Sequence, residues 1–188
     1  MRHSDKDRQA AETLRRKIGP RSIVMVGLMG CGKSAIGRRI AARLGMPFVD
    51  ADDEIELAAG KSISDIFAEH GESYFRVGER KVISRLLDGE AKVLATGGGA
   101  FMNEDTRKKI SETGISIWLK ADLPILMRRV ARRSHRPLLT KGDPEATMRR
   151  LMSERHRVYK QADITIKSCD VPHEVIVEDI LKQLSSAV

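Results

Sequence analysis

Apolar residues along the chain recur with two periods. Short runs appear as SIVMV at 22–26, MPFV at 46–49, KVLAT at 92–96, ISIWL at 115–119 and DITIK at 163–167. Runs of this length bounded by turn residues read as strands, and SIVMV, ending at a glycine, has the character of a buried parallel strand. Between them apolar positions fall every third or fourth residue. Ile36, Ile40 and Leu44 mark a helix over 33–44, stopped by Gly45. The same period predicts helices over 53–59, 63–70, 72–87, 104–113, through Ile125 and Val130, over 146–160 and over 173–184. Ahead of the first strand, Ala10, Leu14 and Ile18 form a thin stripe that suits an amphipathic helix over 4–18 laid on the domain; a frayed extension is the alternative.

Strands alternating with helices predict an α/β fold with a central five-stranded parallel sheet and helices on both faces. The length of 188 residues suits one domain, taken here as 21–188, with residues 1–20 as a helical extension. An arginine-rich stretch containing Pro137, Gly142 and Pro144 predicts a mobile lid over about 133–145.

Composition changes this picture only slightly. No apolar run reaches the ~18 residues of a membrane span. The first twenty residues lack an apolar centre and carry Asp5, Asp7 and Glu12, which argues against a transit peptide. Cys31 and Cys169 make neither a disulfide framework nor a metal-ligand pattern. A cytoplasmic protein without a membrane partner is the expectation. Charge is more informative. The net charge is +8, and residues 118–160 hold 12 Lys and Arg against 4 Asp and Glu, so this segment carries the whole excess. Five arginines lie between Arg128 and Arg136. Such a segment has a local anionic client. With no aromatic residue interleaved among these arginines, a polyphosphate suits it better than a nucleic acid.

Ligands of parallel α/β sheets sit at the carboxyl ends of the strands. Three segments lie there: GLMGCGKS after the first strand, DADDEIE after the second and TGGGAF after the third. GLMGCGKS, Gly27 to Ser34, fits the phosphate-binding pattern GxxxxGK(S/T) between a strand and a helix. There glycines let backbone N–H groups curl round phosphates, Lys33 reaches the outer phosphates and Ser34 can ligate magnesium. Cys31 reads as a small loop residue rather than a reactive thiol. In DADDEIE, Asp53 and Glu56 have the spacing of a capping box, and Glu54 and Glu56 suit the positive start of a helix. Asp50 and Asp52, two apart at the end of an extended segment, can project together toward the phosphate loop. Three consecutive glycines at 97–99 are costly unless backbone must approach something closely. Glu72, Arg76, Glu79 and Arg80 are adequately explained as ion pairs on one helix, and their spacing does not single out Arg76.

Taken together, GLMGCGKS, Asp50-Ala51-Asp52, FRVGE at 75–79, TGGGA at 96–100, RPLL at 136–139 and Glu154-Arg155 before Tyr159 resemble the shikimate kinases, from about Ser22 to Leu184. The resemblance implies a P-loop kinase fold, and transfer of the γ-phosphoryl group of ATP, with Mg2+, to the 3-hydroxyl of shikimate. By it Gly30, Cys31, Gly32, Lys33, Ser34 and Ala35 hold the nucleotide, with Lys33 also catalytic. Ser34 and Asp50 serve the metal, the latter through water. Asp52 takes substrate hydroxyls and is the candidate base. Arg76 and Arg155 clamp the substrate carboxylate, with Glu79 orienting Arg76, and Gly97, Gly98 and Gly99 present backbone to the ring hydroxyls. Arg136 belongs to the lid and acts on the γ-phosphate, and Arg129 matches the residue stacked on adenine. A planar guanidinium fork suits a carboxylate better than ammonium does. The implied protein is a monomer acting on small molecules. Gluconate-type kinases, adenylate-kinase-like enzymes and a P-loop nucleic-acid-binding module are the rival readings.

Overall fold

The computed structural model describes residues 5–131 and 142–188. Arg136 and most of the expected lid lie outside the described residues. Five strands and eight helices are found among those described. The strands are β1 (Ser22–Val26), β2 (Phe48–Asp50), β3 (Val93–Ala95), β4 (Gly114–Lys120) and β5 (Ile164–Lys167). The helices are α1 (Asp5–Ile18), α2 (Lys33–Leu44), α3 (Ala51–Ala59), α4 (Ile63–Leu87), α5 (Glu104–Thr113), α6 (Leu123–Val130), α7 (Pro144–Tyr159) and α8 (His173–Ala187).

All strand pairs are parallel, in the order β2-β3-β1-β4-β5. The apolar run of β1 is central and wholly buried, with Val24 beside Leu94 on one side and Ser116 on the other. From β1 the chain moves outward to β2, then reverses and crosses to β5. Right-handed crossovers therefore put α2 on one face and α4, α5 and α7 on the other. Packing of α2 against α1 and α8, and of α4 against α5, agrees with that division. The reversal leaves the ends of β1, β2 and β3 side by side, which is where ligands bind in such sheets.

Several local expectations are revised. In α1, Leu14 and Ile18 are buried in the main core, but Ala10 is exposed and its neighbour Ala11 packs inward instead. The two helices expected over 63–70 and 72–87 run together as α4, kinked at Gly71, whose φ of 79° and ψ of 176° are not helical. Only a residue without a Cβ takes that conformation readily, so the bend occurs there. Residues on both sides of the kink in α4 pack with α3 around a small second core of Ile55, Ile66, Phe75 and Val82. That unit stands beside the sheet and forms the far wall of the site.

Candidate active site

The loop after β1 is shaped by its glycines. Gly27, Gly30 and Gly32 have φ of 136°, 82° and 101°, a region that side-chain-bearing residues avoid. The loop curls and delivers the chain into α2, so that backbone N–H groups at Gly32, Lys33, Ser34 and Ala35 open the helix. Lys33 Nζ lies 2.9 Å from the Gly27 carbonyl and 3.0 Å from that of Leu28, which hold the ammonium across the loop. Cys31 is fully buried beneath the loop, as a small structural residue should be.

The acidic stretch after β2 divides differently from the sequence expectation. Helix α3 starts at Ala51, so only Asp50 belongs to the strand and Asp52 lies in the first helical turn. Asp50, not Asp53, is the N-cap: its Oδ1 accepts from the Asp52 N–H at 3.1 Å. The Asp53–Glu56 capping box is thus not formed, because the helix begins two residues before Asp53. Glu56 instead accepts from the backbone N–H of Ile63 at 2.8 Å, at the start of α4, and Glu54 faces Arg85 at 3.6 Å. The other oxygen of Asp50, Oδ2, accepts from Ser34 Oγ at 2.6 Å. Two hard oxygen donors side by side at a phosphate loop have the chemistry that would suit Mg2+.

Asp52 turns the other way. It lines a cleft with Arg76, Glu79, Arg155 and Gly97–Gly99, closed on its apolar side by Met29, Ile63, Phe67 and Phe75. The rings of Phe67 and Phe75 meet at 4.8 Å across the kink of α4. Arg76 Nη1 donates to Glu79 Oε2 at 2.6 Å, while Nε and Nη2 both reach Glu72 Oε1, at 3.2 and 2.9 Å. Arg76 thus makes the helix ion pairs its spacing suggests, one with exposed Glu72 outside the cleft and one with buried Glu79, while its guanidinium also lines the cleft. Glu79 is 3% exposed. Burial pushes its carboxyl above the ordinary range, and Arg76 pulls it only partly back.

A side chain at any glycine of the triplet would crowd a charged neighbour. A Cβ on Gly97 would stand 2.6 Å from Glu79 Oε1, one on Gly98 3.3 Å from Arg155 Nη1, and one on Gly99 2.4 Å from Arg76 Cζ. Each glycine thus makes room for a different charged side chain of the cleft. Arg155, on α7, is 8% exposed, and one turn later Tyr159 donates its hydroxyl to the Gly98 carbonyl.

Arg129 lies on the opposite side of the phosphate loop. Its Nη1 reaches the Gly30 and Cys31 carbonyls at 3.4 Å each and Ser168 Oγ at 3.0 Å, and Nη2 donates to the Cys169 carbonyl at 2.9 Å. Ser168, buried at the end of β5, also donates to the Cys31 carbonyl at 2.8 Å. Other arginines of the basic segment are used locally: Arg128 pairs with Asp170, Arg149 with Glu145 and Arg150 with Glu154.

The structure thus gathers Asp52, Arg76, Arg155 and Gly97–Gly99 in one cleft, and Lys33, Ser34, Asp50 and Arg129 around the adjoining loop. Sequence reasoning assigned no role to Ile63, Phe67, Phe75 and Met29 in the apolar wall, or to Tyr159 and Ser168 behind the site. Phe67 and Phe75 are two of only four phenylalanines, which is the one signal that could have drawn attention to them.

Comparison with known proteins agrees with this arrangement. The shikimate kinase family profile matches residues 29–185. A shikimate kinase of Bradyrhizobium diazoefficiens is 62% identical over 167 residues, covering 89% of this chain and 81% of the relative. One from Rhodopseudomonas palustris is 58% identical over 167 residues, 89% of this chain and 82% of its own. The structure of shikimate kinase from Acinetobacter baumannii in complex with shikimate superposes with a TM-score of 0.87 at 34% identity, covering 92% of this chain and 97% of that one.

Proposed function

The chain belongs to the shikimate kinase family, and from that membership we propose how its residues divide the transfer of the γ-phosphoryl group of ATP to the 3-hydroxyl of shikimate. One observation carries the division: the cleft that gathers Asp52, Arg76, Arg155 and the glycine triplet adjoins the phosphate loop and contains two carboxylates, Asp52 and Glu79, and two guanidinium groups. An anionic, polyhydroxylated ring fits that chemistry.

Arg76 and Arg155 clamp the ring carboxylate, fixing the substrate by charge-assisted bonds. Glu79 and Glu72 keep Arg76 in register. The backbone of Gly97–Gly99 meets the ring hydroxyls, and Met29, Phe67 and Phe75 cover the hydrocarbon side. Asp52 orients the 3-hydroxyl toward the phosphate loop and accepts its proton as the new P–O bond forms. Phosphoryl transfer depends chiefly on positioning and charge neutralisation, so a modest base suffices.

On the nucleotide side, the loop N–H groups and Lys33 hold the phosphates, and Arg129 faces the adenine. Ser34, and Asp50 through water, would hold Mg2+, which when bound would neutralise charge on the transferring group. Arg136 acts on the γ-phosphate from the lid. The protein works as a cytoplasmic monomer on small molecules alone.

Asp52→Asn tests the division. Calorimetry should find shikimate bound within several-fold of the wild-type affinity, while kcat falls at least ~10²-fold, the usual contribution of a general base. An unchanged kcat would remove Asp52 from the chemistry.

A further inference from the structure

Tyr159 is among the largest fully buried side chains, at 0% exposure, and one of only two tyrosines in the chain. It sits in a cluster with Phe101, Trp118 and His156, with ring centroids 6.4, 5.7 and 6.4 Å away. A phenylalanine would serve that packing equally well. The hydroxyl therefore needs its own explanation. It donates to the carbonyl of Gly98, the middle residue of the triplet that lines the cleft. Buried hydroxyls find partners, but this one has taken a carbonyl belonging to the turn that faces the substrate.

A peptide unit is planar and trans, so its C=O and its N–H point in opposite directions. Fixing the Gly98 carbonyl toward Tyr159 fixes the next N–H, that of Gly99, away from the core. Glycine has no side chain to resist rotation of the peptide plane, and Gly98 and Gly99 flank this peptide on both sides. We infer that Tyr159 is a positioning residue for the acceptor site: its hydroxyl sets the plane of the Gly98–Gly99 peptide and aims the Gly99 N–H into the cleft. Arg155, on the same helix one turn earlier, is placed against Gly98 by the same framework, so that α7 sets both the guanidinium and the backbone donor. Burial pushes the phenol above its ordinary pKa range, so it keeps its proton, and its donor role, through neutral pH. The inference rests on the reading of Gly97–Gly99 as backbone that meets the acceptor.

Tyr159→Phe is the test, assayed beside the wild type. Loss of one buried hydrogen bond that orders a substrate contact should raise KM for shikimate on the order of tenfold, with KM for ATP unchanged and kcat within about threefold. A lower melting temperature with both KM values unchanged, or equal losses for both substrates, would make the hydroxyl purely structural and overturn the inference. A second readout does not depend on that variant folding. In Tyr74→Phe, Tyr159 is the sole tyrosine, and Tyr74 is 59% exposed and outside the cleft. Fluorotyrosine labelling of this protein gives one fluorine resonance, which should move when shikimate is added and stay still when ATP alone is added. A resonance indifferent to shikimate would overturn the inference. Failure of the wild type itself to phosphorylate shikimate would instead overturn the reading of the site.

Discussion

Gly99→Ala separates the role of the glycine triplet from the flexibility of its backbone. Gly99 has φ −95° and ψ −15°, which alanine adopts freely, so the substitution adds no backbone strain. The added methyl would stand 2.4 Å from Arg76 Cζ and 2.5 Å from each Nη. To reach an ordinary contact of ~3.6 Å the guanidinium must withdraw by about 1.2 Å. Nη1 is now bonded to Glu79 at 2.6 Å, and a withdrawal along that bond would stretch it to about 3.8 Å, past hydrogen-bond range. One charge-assisted bond is worth roughly 1.5–3 kcal/mol, and a misplacement of ~1 Å costs about 10²-fold in rate. A loss of about 2–4 kcal/mol in transition-state stabilisation follows, or ~30- to 1,000-fold in kcat/KM for shikimate. Stability should fall as well, since stranding the buried Glu79 carboxylate costs more than the few tenths to ~1 kcal/mol that alanine gains by restricting the unfolded chain. The assay is ADP release coupled to NADH oxidation, with a thermal melt on the same samples. A folded variant with kcat/KM within about threefold of the wild type would refute the claim that the triplet makes room for Arg76.

The remaining predictions concern the supports of the two half-sites. Burial raises the carboxyl of Glu79 above the ordinary range, so as pH falls Glu79 takes up a proton and releases Arg76 earlier than a normal carboxylate would. The acid limb of kcat/KM for shikimate should therefore lie above the ordinary Glu range of ~4.3, and Glu79→Gln should lower the plateau and abolish that limb. Because the folded pKa is raised, the stability contributed by Glu79 is present below its unfolded pKa and is lost as pH rises through the folded one. The melting temperature of Glu79→Gln should accordingly gain on that of the wild type with rising pH, and a constant difference would contradict the assignment. Ser168→Ala should raise KM for ATP about three- to tenfold without moving KM for shikimate, since it frees Arg129 and the Cys31 carbonyl together; equal effects on both substrates would remove Ser168 from the nucleotide side.

The frame of this molecule was open to reading because its strands and helices differ sharply in apolar period. SIVMV could be little other than a buried strand, and Ile36, Ile40 and Leu44 with Gly45 define α2 to the residue. The phosphate loop was equally legible, since strand, glycines, lysine and helix occur together. Spacing within a helix was less informative. Glu72, Arg76 and Glu79 have the pattern of surface ion pairs, and only the kink at Gly71 and the packing of α4 carry Arg76 into the cleft. The same limit applies to the acidic stretch, where a cap at Asp50 and one at Asp53 fit the sequence equally well until the end of β2 is known. The contacts of Tyr159, named only as the end of a motif, and of Ser168 were hidden for a different reason: each is with a backbone carbonyl distant in sequence, and no local pattern records such a contact.

The central claim is that one cleft beside the phosphate loop receives shikimate. Its most direct measurement is ATP-dependent ADP release by the purified full-length chain, offered shikimate, gluconate and nucleoside monophosphates in parallel. Turnover is expected with shikimate alone, with Mg2+ required. Absence of turnover with shikimate, or comparable turnover with gluconate or a nucleoside monophosphate, would contradict it.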